Sequence, residues 1–394
     1  MIAIMLAPVY ILVNYYVVRW LIRWVECCSE FFKKRWVRYL IVGIYIFFAS
    51  SFIVGFFLPF RSIKIVGNYW LGVVQYILLF VIGFDLIRII LLKWKLINEK
   101  TIHARKTFIL VGILCFLVVG AFSTYGVIHA KKIVVNSYQV QIDKKVDKFS
   151  NLKVALVSDL HLGYNSSLSH VKKMVKLINE SDPDVVVIAG DIFDNSYEAI
   201  YEPDKVIQEI KKIKTKYGVY AVYGNHDIDE KILAGFTFSW KKNKNLNDPR
   251  MTSFLEKANV KLLRDESLLI DDSFYLVGRI DYHKYGMEVE KRKTIEELVS
   301  SFDKSKPVIL IDHEPYELEE IAKAGVDLDL SGHTHNGQMF PSNVFIKFIW
   351  KNPYGLLKVD NMYSAVTSGV GVYGPNMRVG TTAEVMILNL SFKK

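Results

Sequence analysis

Val154-Ala155-Leu156-Val157-Ser158-Asp159-Leu160-His161 decides the fold. Four uninterrupted apolar residues predict a strand buried on both faces, and the aspartate and histidine that follow at once put metal-ligand chemistry at its carboxyl end. The same order recurs downstream. Val185-Val186-Val187-Ile188 runs into Gly190-Asp191, and Val219-Tyr220-Ala221-Val222 into Gly224-Asn225-His226-Asp227. Val308-Ile309-Leu310-Ile311 runs into His313, and the stretch from Val326 to Leu330 into Gly332-His333-Thr334-His335. Amphipathic helical spacing fills Val171 to Ile178 and Lys205 to Ile213. Strands alternating with helices predict an α/β domain, and in open α/β sheets the loops past the strand carboxyl ends form the site, so every ligand is expected on one rim. The apolar runs Phe274 to Val277, Tyr363 to Thr367 and Glu384 to Leu390 are expected in a second sheet.

Five of the chain's nine histidines fall in these five pieces. With the carboxylates and one amide they supply hard oxygen and borderline nitrogen donors in number enough for two divalent metals. Two ions about 3.5 to 4 Å apart need a bridging anion, a task that suits Asp191 on a strand end after glycine. In an extended segment Asp159 and His161 share one side, and so do His333 and His335, with Gly332 allowing a tight bend before them. Asn225 offers a neutral carbonyl oxygen, and His226 beside it is free to donate a proton or stabilise phosphoryl charge. Taken singly, an Asp-x-His or Gly-Asp pair is more often solvated loop than ligand, and His170 and His283, outside any pattern, read as surface or loop residues. Gly-Asn-His-Asp and Gly-His-x-His are far more specific, and all five pieces in this order, each after an expected strand, do not arise by chance.

Composition divides the chain of 394 residues. Hydrophobic residues make up 51% and mean hydropathy is +0.21, high for a chain with 23% charged residues. Residues 1–130 carry fourteen Lys/Arg against four Asp/Glu, which accounts for the whole formal charge of +10. Residues 131–394 are balanced, so the part bearing the chemistry has no basic excess for a nucleic-acid partner despite a pI near 9.1. Apolar runs at 1–24, 39–60, 69–92 and 107–128 predict an all-α, four-helix transmembrane region over 1–130, since about 20 helical residues cross a hydrocarbon core of about 30 Å. The first run is the weakest, interrupted by Pro8 and Asn14 and shortened by Arg19 and Arg23. A cleaved signal peptide fits poorly because its basic residues follow the apolar stretch.

The basic loops Arg23 to Arg38 and Lys93 to Lys106 are expected in the cytoplasm by the positive-inside rule, which places residues 150–394 outside it, after a connector and first strand over 131–149. The chain is thus expected to be a multi-pass cell-membrane protein with its bilayer as partner. Cys27, Cys28 and Cys115 all precede residue 130, so the outer domain has no disulfide to form. Asp85 and Arg88, three apart on one helix, are placed to pair. No second intramembrane acid and no inverted repeat argue for a transporter.

The order and wording of the five pieces resemble the calcineurin-like metallophosphoesterase family, whose pattern runs D-x-H, G-D, G-N-H-[DE], H, G-H-x-H, over about residues 150–390. Ser158 to Gly163 and Leu330 to Gln338 look like its bacterial membrane-associated branch, with Asn336 where that branch often has glycine. The resemblance implies a two-sheet β-sandwich flanked by helices. It implies one metal held by Asp159, His161, Asp191 and His335, another by Asp191, Asn225, His313 and His333, and a catalytic His226 oriented by Asp227. It implies phosphoester hydrolysis by a hydroxide bridging two divalent ions, for which manganese, iron and zinc all suit the donors.

A site tethered outside the cytoplasm favours a lipid-linked or envelope phosphodiester or pyrophosphate. Two alternatives stay open. One is a pyrophosphatase of the UDP-2,3-diacylglucosamine type, which needs a cytoplasmic substrate; the other is a membrane sensor or transporter with a phosphoesterase output domain. The stretch 236–250, with Trp240 and three lysines, reads as an added loop, either plain surface or a membrane-facing or substrate-gating segment.

Overall fold

The computed structural model describes residues 2–58, 60–233, 236–238, 248–283 and 292–393. The chain divides into two compact units, one of 1–128 with 232–238 and 374–377, the other of 129–231, 239–373 and 378–394.

The first unit holds four long helices, Ile2–Cys28, Arg35–Phe57, Arg61–Lys93 and Arg105–His129. The last three are long and apolar enough to cross a membrane, with 23, 33 and 25 residues; at 1.5 Å per residue they rise about 34 to 50 Å. The four expected helices are present, but only three qualify as spans among the described residues. Helix Ile2–Cys28 carries Arg19, Arg23 and Glu26 and keeps Pro8 inside it. It packs through Val17 on Tyr45, Trp70 and Val74. Asp85 and Arg88 lie 3.5 Å apart, and the Tyr16 hydroxyl donates to the same Asp85 carboxylate. All three cysteines are free.

The second unit contains two six-stranded sheets. In chain order the strands of the whole chain are β1 (Ile133–Lys145), β2 (Asn151–Val157), β3 (Val185–Ala189), β4 (Val219–Val222), β5 (Lys231–Leu233) and β6 (Phe236–Phe238), which fall almost wholly in the first unit, then β7 (Val260–Leu262), β8 (Glu266–Ile270), β9 (Phe274–Gly278), β10 (Val308–Ile311), β11 (Leu328–Ser331), β12 (Gly355–Val359), β13 (Met362–Val366) and β14 (Ala383–Lys393). The first sheet runs β1-β14-β2-β3-β4-β7 and the second β12-β13-β11-β10-β9-β8, while β5 and β6 form a separate pair. β2, β3 and β4 are mutually parallel, in the register Val154↔Val185 and Val186↔Val219, and β9, β10, β11 and β13 are parallel in the other sheet.

Period-two alternation explains the layering. In β2, Val154 and Leu156 enter the core between the sheets, while Ala155 and Val157 face the helices. β3 repeats this with Val185 and Val187 against Val186 and Ile188, and in β10 Ile309 and Ile311 face the first sheet while Val308 and Leu310 face outward to Ile295, Leu298, Leu318 and Ile321. Both faces are apolar because both are covered, which makes the strands read as continuous hydrophobic runs. This is the expected α/β two-sheet sandwich flanked by helices.

Two expectations need correction. Glu384 to Leu390 does not join the second sheet: β14 lies in the first, parallel to β1 and antiparallel to β2. The ligand-bearing strands are not one open sheet either, since β2, β3 and β4 belong to the first sheet and β10 and β11 to the second. Periodicity marks a strand as doubly covered but carries nothing about which sheet it enters. Of the loop 236–250, residues 239–247 lie outside the described residues; Asp248 caps helix Pro249–Lys257 by accepting from Arg250 N.

Candidate metal centre

The turns after β2, β3, β4, β10 and β11 bring their polar residues together; beside a group of His161, Asp194 and His226, two groups hold the expected ligands, buried except for half-buried His333. Asp159, His161 and His335 form one, and Asp191, His313 and His333 the other, each with ligand atoms within 4.8 Å. His161 Nε2 is 3.1 Å from His335 Nε2, which is 3.4 Å from Asp159 Oδ1. In the second group His313 Nε2 lies 3.2 Å from His333 Nδ1, 3.2 Å from Asp191 Oδ2 and 3.2 Å from Asn225 Oδ1. Asp191 Oδ2 is also 3.8 Å from His161 Nε2, so one carboxylate faces both groups. Asn225 Oδ1 is 2.9 Å from His333 Nδ1. All seven residues expected as ligands are thus brought together, with Asp191 between the groups.

The backbone that achieves this is strained. Asp159, His161, Asp191, His333 and His335 have φ of 52°, 42°, 49°, 68° and 48°, the left-handed region that costs a non-glycine residue of order 1–3 kcal/mol. The segments are therefore not extended past the strands, contrary to the sequence reading. His333 and His335 do not share a face but part, one to each group. Gly332 is required for space, not for a left-handed bend: a Cβ there would come 1.7 Å from Ser158 Oγ and 2.5 Å from Asp159 Oδ2.

Neighbouring groups fix the rings. His313 Nδ1 donates to Ala189 O at 2.8 Å, which turns the Nε2 lone pair toward Asp191, Asn225 and His333. Asp159 accepts from Ser158 Oγ at 2.5 Å and from His333 N at 3.1 Å, and Asp191 Oδ1 accepts from His226 N at 2.8 Å. Asp194, an uncounted residue three after Asp191, sits 3.5 Å from His161 Nδ1.

His226 is buried beside both groups. Its Nδ1 donates to Asn195 Oδ1, which leaves Nε2 as the nitrogen free for chemistry. Asp227 does not orient this ring. Its oxygens are taken by Phe193 N and Gly224 N, each 2.7 Å away, and tie the β3 and β4 turns together. The burial of Asp227 together with Asp191 pushes its carboxyl up to about 8. Burial holds the His226 ring down to about 4, although Asp191 pulls the other way.

With only protons to share, the groups titrate apart. Burial disfavours charge on both members of the central pair, but the two attract strongly enough that His313 is driven well above its usual value and Asp191 well below. Burial and the His313 charge push His333 down to about 3, while burial, His161 and Arg378 push His335 well below normal. Acceptor atoms converge at about 3 Å, and the rings of His333 and His335 are held neutral beside them. Such a donor set suits divalent cations better than it suits protons.

Residues 152–337 match the calcineurin-like phosphoesterase family. That match makes residues 152–337 a calcineurin-like phosphoesterase domain. A "Transmembrane protein with metallophosphoesterase domain" from Danio rerio is 28% identical over 69% of this chain and 61% of its own length. An uncharacterized metallophosphoesterase of Helicobacter pylori is 30% identical over 62% and 61%, and one of Campylobacter jejuni is 27% identical over 97% and 96%. The chain spans about three fifths of the first of these relatives.

In this calcineurin-like phosphoesterase domain the periphery of the centre was illegible in the sequence. Arg378 is fully buried, donates through one nitrogen to Ser368 O, Gly369 O and Gly371 O, and reaches His335 Nδ1 at 3.5 Å. Tyr373 lays its ring 4.7 Å from that of His226 and 5.5 Å from that of His161. Trp350 lies 5.2 Å from the ring of His333. None has a motif; only the short spacing Asp191-Ile192-Phe193-Asp194-Asn195 carried a signal, two polar residues ending an apolar turn. His170 is held by Val370 O at 2.8 Å, and His283 pairs with buried Glu314 at 2.6 Å; neither belongs to the ligand groups.

Proposed function

We propose that this chain is a membrane-anchored phosphoesterase that holds two divalent ions and hydrolyses a phosphodiester or pyrophosphate bond. One observation carries the reading: two groups of metal-ligand atoms meet at the Asp191 carboxylate, with His226 beside them. The first ion is assigned to Asp159, His161, Asp191 and His335, the second to Asp191, Asn225, His313 and His333. When bound, the ions lower the pKa of water and neutralise charge on the phosphoryl oxygens.

The chain's own residues do the rest. Asn195 holds the His226 ring by Nδ1, so Nε2 is the nitrogen that handles the proton as water's oxygen joins phosphorus and the leaving oxygen departs. Asp227 keeps the β3 and β4 turns in register beneath the ring. Tyr373 and Trp350 wall the two sides and exclude water.

The three apolar helices support a bilayer partner, and the two basic loops support a multi-pass arrangement with residues 150–394 outside the cytoplasm, which favours lipid-linked or envelope phosphoesters. Full-length protein in nanodiscs should hydrolyse bis(p-nitrophenyl) phosphate with added Mn²⁺. Asp191→Ala should lose both bound metal and turnover, whereas His226→Ala should keep its metal and lose about 10²- to 10⁴-fold in kcat. Undiminished turnover in both variants would overturn the site.

A further inference from the structure

Past the last metal-ligand loop the chain presents an apolar surface that the chemistry above does not use. Among the described residues after 129, eight large hydrophobic side chains are exposed, and five of them fall in one ten-residue segment: Phe340, Val344, Phe345, Phe348 and Ile349. The other three, Val135, Tyr201 and Leu269, lie far apart in sequence. Phe348 is 84% and Ile349 71% exposed. Val344, Phe345, Phe348 and Ile349 recur at helical spacing along the turns Ser342–Phe345 and Ile346–Phe348 and the residue that caps them, so these four share a face, with Phe340 just ahead of it.

The face is held outward and is joined to the metal centre. At one end Asn343 Nδ2 donates to Gly380 O at 3.3 Å. At the other Asn352 Nδ2 donates to Ser364 O at 2.9 Å, and Thr334, inside the Gly-His-x-His turn, donates to Pro353 O at 2.6 Å. Trp350, directly after the exposed pair, lies between the rings of Tyr316 and His333.

We propose that residues 340–349 rest in the interfacial layer of a lipid bilayer and that the adjoining centre takes a phosphoester carried on a membrane lipid. The observations single out a bilayer as the occupant. Three helices able to cross a membrane tether the same chain to it, so that surface is present at high effective concentration. A short apolar face with a tryptophan at its edge and exposed Lys347 within it has the composition of an interfacial segment, with the ammonium placed for lipid phosphate. A lipid head group rising from that layer beside Trp350 is next to His333, while its acyl chains stay in the bilayer. In the reaction the lipid's P–O bond breaks, water's oxygen goes to phosphorus and its proton to the leaving alcohol. The proposal rests on the hydrolase reading for its substrate but not for its docking.

Two measurements on the full-length chain in nanodiscs separate these. With Cys27, Cys28 and Cys115 changed to serine, a nitroxide on Phe348→Cys should collide more with lipid-dissolved oxygen than with an aqueous nickel chelate. Nickel contact typical of a solvated loop overturns docking, and shielding from both reagents assigns the face to protein, including a second copy, and overturns it equally. For turnover, the double variant Phe348→Ser, Ile349→Ser should lose at least tenfold on phosphatidyl-p-nitrophenol in vesicles and stay within twofold on bis(p-nitrophenyl) phosphate. Equal loss on both substrates, or loss on neither, overturns the lipid-substrate assignment. If the wild type hydrolyses neither substrate while the nitroxide reports lipid, the hydrolase reading fails and the docking stands.

Discussion

At the scale of single residues, the contact between Asn195 and His226 is the most informative. An amide oxygen accepts the Nδ1 proton and fixes the ring but cannot offset charge on the imidazole as a carboxylate would. Asn195→Ala should lower kcat about 10- to 100-fold with metal content retained, the loss expected when a supporting partner is removed. Asn195→Asp should restore most of the rate and move the acid limb of the pH–rate profile upward, because an adjacent carboxylate raises the ring's pKa from its depressed value near 4. An unmoved profile with full activity in both variants would show that the ring is positioned by other groups.

At the scale of elements, the strand ends store strain that packing sustains. Gly332 sits where β11 passes Ser158 at the end of β2, and Gly332→Ala would force these turns apart. Its protein should lose metal affinity together with several degrees of Tm, and a variant with wild-type Tm and metal content would contradict the close approach. β11 also carries Asp329, fully buried and accepting from Ser331 Oγ and Ser364 Oγ. Burial and neighbouring Asp312 push its carboxyl up to about 7. From about pH 4 to 7 the unfolded chain has lost this proton while the folded one keeps it, so stability falls as pH rises through that window. Asp329→Asn should therefore gain Tm relative to wild type between pH 5 and pH 8, and parallel Tm curves would show that the group is not shifted.

At the scale of the whole molecule, the proposed placement of residues 150–394 rests on the apolar helices and the charge of the loops between them. Cys27 and Cys28 end helix Ile2–Cys28, within the basic stretch Arg23 to Arg38, and are partly accessible. A membrane-impermeant maleimide should label them only after permeabilisation if both basic loops are cytoplasmic. Labelling in intact cells would reverse the arrangement and favour cytoplasmic lipid-precursor nucleotides as substrates.

The sequence by itself determined the strand-then-ligand order, the α/β class, the family and the location of the apolar helices, because each is written in local periodicity or in a short motif. It also carried a ligand list that the structure draws into one place. Only tertiary structure decided that β14 enters the first sheet, that the rim is shared by two sheets, and that His333 and His335 part. It also decided that Asn195 and not Asp227 meets His226, and that Arg378, Tyr373 and Trp350 surround the centre. These depend on pairings across tens to hundreds of residues and on left-handed backbone at the strand ends, and the interactions that select them lie far from those positions in sequence.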